Sequence, residues 1–526
     1  MAVITLTEAK ARSYDLVVVG AGAAGIALAL RTAKAGLATL LLEQGSFAAP
    51  RKADPDDEPQ IPPGVPHDTR AQTNVRAVGG SLHRWGRRSV PLNPEDFGPR
   101  KATDEPGWPI RYDEYLPWVM PASDFLQSTG DFLSYPPHQW VNVDGLRADR
   151  VERLGLPEQI RDVQNKVRTA GPGLDLLPET SVLDLDLDGP RVVGLTLSSK
   201  GETEYLPTRK VVLACGGLET TRLLLLHQRK DAKRFGGRDG PLGRYYMGHL
   251  TGSAGELLFT DPRDAAAFGY DERSQTTPYR RRLTLTSGAR TNIVFWIENL
   301  PASDPRHGSG ELSLKELLRR KGRAPRFGVH LSNILRDPSG TASVAGAAWS
   351  RLVGSGARAP DRLRLSGAGP YRLAYHAEHL PDPDSRVTLS GETDRFGRAK
   401  LKIDFRYDDT TVDALVEAHR VLAKRLEEAR LATVTIPHAD VILTQRIRQQ
   451  SRDGYHQIGM TRMSADPSNG VVDENCRVHD TDNLYIASAS VFPVSGQANP
   501  TLSVVAFALR LAEHLADARS ASRAAQ

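Results

Sequence analysis

The chain is expected to fold as an α/β protein: a Rossmann-like nucleotide-binding domain, discontinuous in sequence, interrupted by an α+β domain built on a largely antiparallel sheet. Three observations predict this. A glycine-rich strand–helix–strand unit opens the chain. Two later strands with small-residue exits, ending near 217 and 490, return to the same kind of site. Between them, from 252 to 442, the glycine fingerprints give way to short strand signals and one long amphipathic helix. The boundaries expected are 1–251 and 443–526 for the two parts of the nucleotide domain and 252–442 for the inserted one.

Composition agrees with an ordinary folded chain. Of 526 residues, 40% are apolar and 25% charged, which excludes disorder, collagen and coiled coil as the dominant state. At about 150 residues per domain the length suits three or four units, or an interrupted two-domain enzyme. The net charge of +5 is small. Its densest basic stretch, Lys315, Arg319, Arg320, Lys321, Arg323 and Arg326, reads as a solvated helix end, so no nucleic-acid partner is expected. Two cysteines, Cys215 and Cys476, are too few for a disulfide framework or a four-cysteine metal site.

The first unit runs from Tyr14 to Gly45. Leu16-Val17-Val18-Val19 is an apolar, β-branched run that suits a buried parallel strand. It enters Gly20-Ala21-Gly22-Ala23-Ala24-Gly25 and a helical stretch to Ala35, which Gly36 stops. Ala38 to Leu42 forms the next strand, with Glu43 at its end, about 20 residues beyond the last glycine. Gly20 permits the tight turn, Gly22 a close approach of backbone to a pyrophosphate, and Gly25 close packing of helix on strand. The helix N-terminus offers free N–H groups to the anion, and Glu43 can accept from ribose hydroxyls. This set fits either of two dinucleotides, FAD or NAD. The later strands, Val211 to Gly217 and Asn483 to Ser490, reach one extended ligand from widely spaced positions and favour FAD.

Ser46 to Thr73 is rich in proline and acidic residues and reads as loop. In the inserted region strands are expected at 283–285, 291–298, 327–335, 371–378, 386–389 and 401–405. A helix over 410–431 follows, and 339–370, rich in glycine and arginine, reads as a mobile loop. His376, Glu378 and His379 invite a metal reading. Strand alternation puts His379 on the face opposite the other two, so no metal site is expected. His249 reads as structural and His479 as surface or hydrogen-bonded. The stretch from Asp15 to Leu42 is too interrupted for a membrane span, and Met1 to Lys10 lacks a basic leader, so a cytoplasmic protein is expected.

Five further segments resemble the glucose–methanol–choline (GMC) oxidoreductases over nearly the whole chain. They are Gly79-Gly80-Ser81-Leu82-His83-Arg84-Trp85-Gly86, Pro91 to Phe97 with Gly107 to Ile110, Tyr455 to Met463, and Gly496 to Leu502. The resemblance is to sugar-oxidising members, pyranose oxidases and sugar dehydrogenases among them. It implies bound FAD and oxidation of a hydroxyl, on a sugar or glycoside, to a carbonyl, with oxygen or another acceptor left open. It implies His456 as the base, Asn499 as its partner, and hydride transfer to flavin N5. It also implies cofactor contacts from Gly20, Gly22, Ala23, Ala24, Gly25, Glu43, Gly79, Gly80, Ser81, Arg84, Trp85, Val182, Ala214, Cys215, Ser488, Ala489, Asn499, Pro500 and Thr501. The loop 46–73 is expected to cover the flavin. Some members bind FAD covalently through a histidine in the Gly-Gly loop. Arg84 stands at that position here and His83 one residue early, so non-covalent FAD is expected. Aryl or aliphatic alcohols, and a non-redox FAD-containing lyase, stay open as alternatives. An NAD-dependent dehydrogenase would leave the later motifs unexplained.

Overall fold

The computed structural model describes residues 2–48, 58–271, 277–321, 323–342, 365, 367 and 369–524. Its first sheet has six strands, all parallel. In spatial order they are Ala2–Val3, Leu174–Leu177, Thr39–Leu42, Leu16–Val19, Val211–Leu213 and Leu484–Ile486. Every residue of Leu16–Val19, Thr39–Leu42, Val211–Leu213 and Leu484–Ile486 is buried, as a parallel sheet covered on both faces requires. Two helices from opposite ends of the chain, Ala23–Lys34 and Thr501–Ala524, pack together, with Arg31 paired to Glu513 at 2.7 Å. One continuous apolar core joins residues from Ile4 to Leu515. The discontinuity expected from the glycine motifs is therefore physical: the sixth strand comes from near the carboxy terminus.

A second sheet is antiparallel throughout, in the order Ala432–Thr435, His249–Phe259, Tyr371–Glu378, Ile293–Asn299, Leu283–Leu285 and Leu146–Arg147. Its edge strand Leu146–Arg147 comes from earlier in the chain than the rest. The amphipathic helix Asp409–Glu428 covers one face, with Leu415, Leu422 and Leu426 fully buried. The His419 ring meets Phe295 and Tyr375 edge-on at 5.1 and 4.9 Å. Among the described residues three smaller antiparallel sheets follow, one of them the meander Thr180–Asp188, Arg191–Ser199 and Glu202–Pro207.

Two elements differ from expectation. Arg70–Thr73, at the end of the stretch read as loop, forms one helical turn capped by Thr69. The second lies in the inserted region. Residues 327–335 read as a strand, but Phe327–Arg336 is a helix. The apparent alternation is the accidental overlap of two helical spacings. Phe327, Leu331 and Leu335 share one face, four residues apart, while His330 and Asn333 are buried on another. There His330 Nδ1 lies 3.0 Å from Ser313 Oγ, and Asn333 donates to the Pro305 carbonyl at 2.9 Å. The basic stretch beside it behaves as a solvated helix end, with Arg319 and Arg320 both on Glu316. The loop expected over 339–370 falls mostly outside the described residues, as do 49–57 of the loop 46–73. No described helix is long and apolar enough to cross a membrane.

Candidate active site

The glycine turn is built as its chemistry demands. Gly20 has φ +105°, and a Cβ there would lie 2.6 Å from the Ala214 carbonyl oxygen on the neighbouring strand. At Gly25 a Cβ would come within 1.9 Å of the Gly20 carbonyl oxygen, so helix and strand meet there backbone to backbone. Gly22 is different: nothing lies within 4 Å of a Cβ built on it. That open space belongs to a cavity of about 450 Å³ that Gly22 lines. Gly22 is also the N-cap of Ala23–Lys34 and provides no side-chain cap, leaving first-turn N–H groups for an anion.

The same cavity gathers the other expected contacts. Gly20, Ala23, Ala24 and Glu43 line it from the first unit, and Gly80, Ser81, Arg84 and Trp85 from the second glycine loop. Val182, Ala214 and Cys215 line it from the middle, and His456, Ser488, Ala489, Asn499, Pro500 and Thr501 from the carboxy-terminal part. Gly25 and Gly79 lie behind its wall. Gly79 instead donates its N–H to the Ala21 carbonyl at 2.8 Å, clamping the second glycine loop onto the first. These residues fit an FAD: a bare glycine wall, an uncapped helix start, and a carboxylate at the next strand end. Glu43 is held by the Ala21 and Gly45 N–H groups at 2.9 and 2.8 Å. Burial pushes its carboxyl up to about 7, against the pull of those two N–H groups. Burial also raises the Cys215 thiol to about 12, so it stays protonated and serves as a small wall residue.

Asn74, Arg76 and Arg88 also line the cavity and carry no sequence signal that marks them. Gln457 lines it too; it lies within the Tyr455–Met463 segment, whose resemblance implies no role for it. Gln457 is the residue after the histidine. Its side chain accepts from Leu218 N–H at 3.1 Å and donates to Asn74 at 3.1 Å. His83 turns toward the Val78 carbonyl, 3.2 Å away, while Arg84 reaches the Ala71 carbonyl.

Around His456 the structure assembles more than the two expected residues. His456 Nδ1 lies 3.0 Å from Asp453 Oδ2 and 2.9 Å from His249 Nδ1. His249 stacks on His376 at 4.2 Å. His376 Nδ1 lies 2.9 Å from the Gln497 carbonyl oxygen, and its Nε2 is 3.5 Å from Asn499 Nδ2. The Asn499 oxygen is 3.5 Å from Arg282, whose guanidinium is buried on Glu152 at 2.9 Å. So His249 and His376 together link the catalytic candidates His456 and Asn499. Burial and the neighbouring imidazoles hold His249 and His376 well below the usual histidine range.

His249, His376 and His456 bring ring nitrogens within 4.8 Å of one another, the spacing of a three-histidine metal set. Their hydrogen bonds to one another, to Asp453 and to Gln497 account for that spacing without an ion. The triple weighed from sequence is dispersed. His376 faces His456, Glu378 holds Arg100 at 2.8 Å, and His379 accepts from the Gly248 N–H at 3.2 Å. His479 Nε2 lies 2.9 Å from the Ser464 carbonyl oxygen, as a hydrogen-bonded turn residue. Asp453 carried one usable hint: it stands three residues before His456, one tight turn away.

Residues 381–508 match the family described as GMC oxidoreductase, and residues 15–49 match an FAD binding domain. Over its length the chain is similar to paromamine 6'-oxidase of Streptomyces fradiae, 23% identical across 96% of this chain and 92% of that one. It is also similar to the fructose dehydrogenase large subunit of Gluconobacter japonicus, 22% identical across 95% and 97%. Among solved structures, pyridoxine 4-oxidase from Mesorbium loti shares the fold, with a TM-score of 0.56 and 19% identity over 95% of this chain and 99% of that one.

Proposed function

The chain belongs to the GMC oxidoreductases, and from that premise we propose that it oxidises a hydroxyl of a sugar or glycoside to a carbonyl, with His456 as the base. The observation that carries this reading is the meeting of His456 and Asn499, linked through His249 and His376, at one cavity that the glycine motif also lines. Bound FAD would supply the acceptor for the hydride leaving the substrate carbon. The chain's own task is the proton. An alcohol gives up hydride only as its O–H proton is removed, and a neutral imidazole at the cavity wall can take it. Asn499 has a second amide N–H beyond the one facing His376, and it can hold the oxygen as negative charge develops there.

The sugar assignment draws on the relatives, which by name act on paromamine and on fructose. Non-covalent FAD is part of the proposal. His83 is engaged with Val78, and the side chain lining the cavity beside it is Arg84, which offers no nucleophile. Acid precipitation of the purified protein is expected to release all flavin into the supernatant; flavin retained in the pellet would refute this.

The reading is tested by anaerobic titration of the purified flavoprotein with sugars, glycosides and then simple alcohols, followed at the flavin absorbance band. Bleaching by a sugar class is the expected result. Bleaching only by aryl or aliphatic alcohols would move the substrate assignment. A flavin that no alcohol bleaches would overturn oxidation as the function.

A further inference from the structure

We propose that Asp453 is a positioning residue that fixes His456 as its Nδ1–H tautomer, leaving Nε2 as the basic atom, with His249 held behind it as a hydrogen-bond acceptor. This rests on the reading of His456 as the base and says how the fold prepares it.

Asp453 is surrounded by donors. Its Oδ1 accepts from the successive N–H groups of Gly454, Tyr455 and His456 at 2.7, 2.9 and 3.1 Å. Its Oδ2 accepts from the His249 N–H at 2.8 Å and lies 3.0 Å from His456 Nδ1. Burial opposes the charge on this carboxyl. His456 and the backbone N–H groups overcome it and hold the group well below the usual carboxylate range. An ionised carboxylate only accepts, so the His456 nitrogen facing it carries the proton.

The second contact then follows. His249 Nδ1 lies 2.9 Å from that same His456 nitrogen, and two protons cannot occupy so short a gap. His249 therefore presents a lone pair there and carries its proton on Nε2. His376 takes the opposite tautomer, because its Nδ1 faces the Gln497 carbonyl, which can only accept. Both rings are buried and neutral, so a proton arriving on His456 Nε2 meets one carboxylate and no neighbouring imidazolium. The His456 side chain is 19% exposed and lines the cavity, which leaves Nε2 as the atom free to meet a substrate. Other ionisable groups close in from each side: His67, Tyr246, His379 and Tyr407 around Asp453, and Arg282 behind His376.

The test uses the holoenzyme. In Asp453→Asn the side chain keeps its shape but no longer demands a proton on His456 Nδ1. The maximal rate of flavin reduction is expected to fall about 100-fold, with substrate affinity changed only a few-fold. The acid limb of the pH–rate profile is expected to move to lower pH, and Asp453→Glu to recover part of the rate. A wild-type reduction rate with an unmoved profile would overturn the proposal. Should the variants fold poorly, 15N-histidine NMR of the oxidised wild-type holoenzyme decides alone, with the His456 signal assigned by its loss in His456→Ala. Protonated Nδ1 and bare Nε2 support the proposal, and the reverse tautomer overturns it. A wild-type flavin that no alcohol reduces would refute the function while leaving the NMR result to decide the tautomer.

Discussion

At the scale of single residues, a reader of the sequence reaches the chemistry before its support. His456 and Asn499 sit inside segments whose resemblance is specific, so they were legible. His249 and His376 were not, because what matters about them is a distance across strands, and spacing in sequence carries none of it; Asp453 offered only its place three residues before His456. His376 is placed beside His249 by the register of two antiparallel strands, Thr251 opposite His376. Replacing His456 with Ala is expected to leave FAD bound and to slow flavin reduction at least 100-fold. Stopped-flow reduction with the best substrate measures this, and a wild-type rate would remove His456 from the mechanism. Glu43 offers a second test. Its carboxyl rises from 4.5 to about 7 on folding, so the folded state holds a proton that the unfolded state has lost. The stability this proton contributes is complete below pH 4.5 and disappears as pH rises through 7. An interval of this size is worth about 3 kcal/mol. In FAD-free protein, melting temperatures at pH 5 and pH 8 should show wild type losing ground to Glu43→Gln at the higher pH. A gap that does not change with pH would show that Glu43 ionises normally.

At the scale of elements, the glycine turn separates two demands that sequence alone runs together. Gly25 is required by packing and Gly22 by the ligand, since only the first would drive a Cβ into protein backbone. Gly22→Ala is expected to keep the melting temperature of the FAD-free protein within a degree or two while weakening FAD at least 10-fold. Gly25→Ala is expected to lower both, by several degrees and by a comparable loss of FAD. Thermal melts and flavin titrations of the two variants check the contrast, and equal effects would refute it. The turn was readable because strand, glycines and acid all lie within one short stretch. The helix Phe327–Arg336 was misread because its buried side is polar. His330 and Asn333 occupy positions where apolar residues are expected, and their hydrogen bonds to Ser313 and Pro305 form only when Pro305–His307 and Gly310–Arg319 are folded beside them.

At the scale of the whole molecule, the parallel sheet closes only when its last strand arrives. Leu484–Ile486 pairs along the full length of Val211–Leu213, and Thr501–Ala524 covers the helix that starts at the glycine turn. A chain ending at residue 480 retains both glycine loops and His456 but exposes a buried strand edge. It is expected to aggregate or to be cleaved rapidly by protease, and to bind no FAD. Recovery of a yellow, protease-resistant truncated protein would disprove this.

The position of that sixth strand has a consequence for how the protein is made. On a translating ribosome, the glycine turn emerges early and waits through most of synthesis without the strand and helix that complete its pocket. Nascent chain therefore has no finished place for the cofactor until Leu484–Ile486 has been made to cover the strand edge at Val211–Leu213. Flavin uptake is thus expected to wait until Leu484–Ile486 has paired with Val211–Leu213.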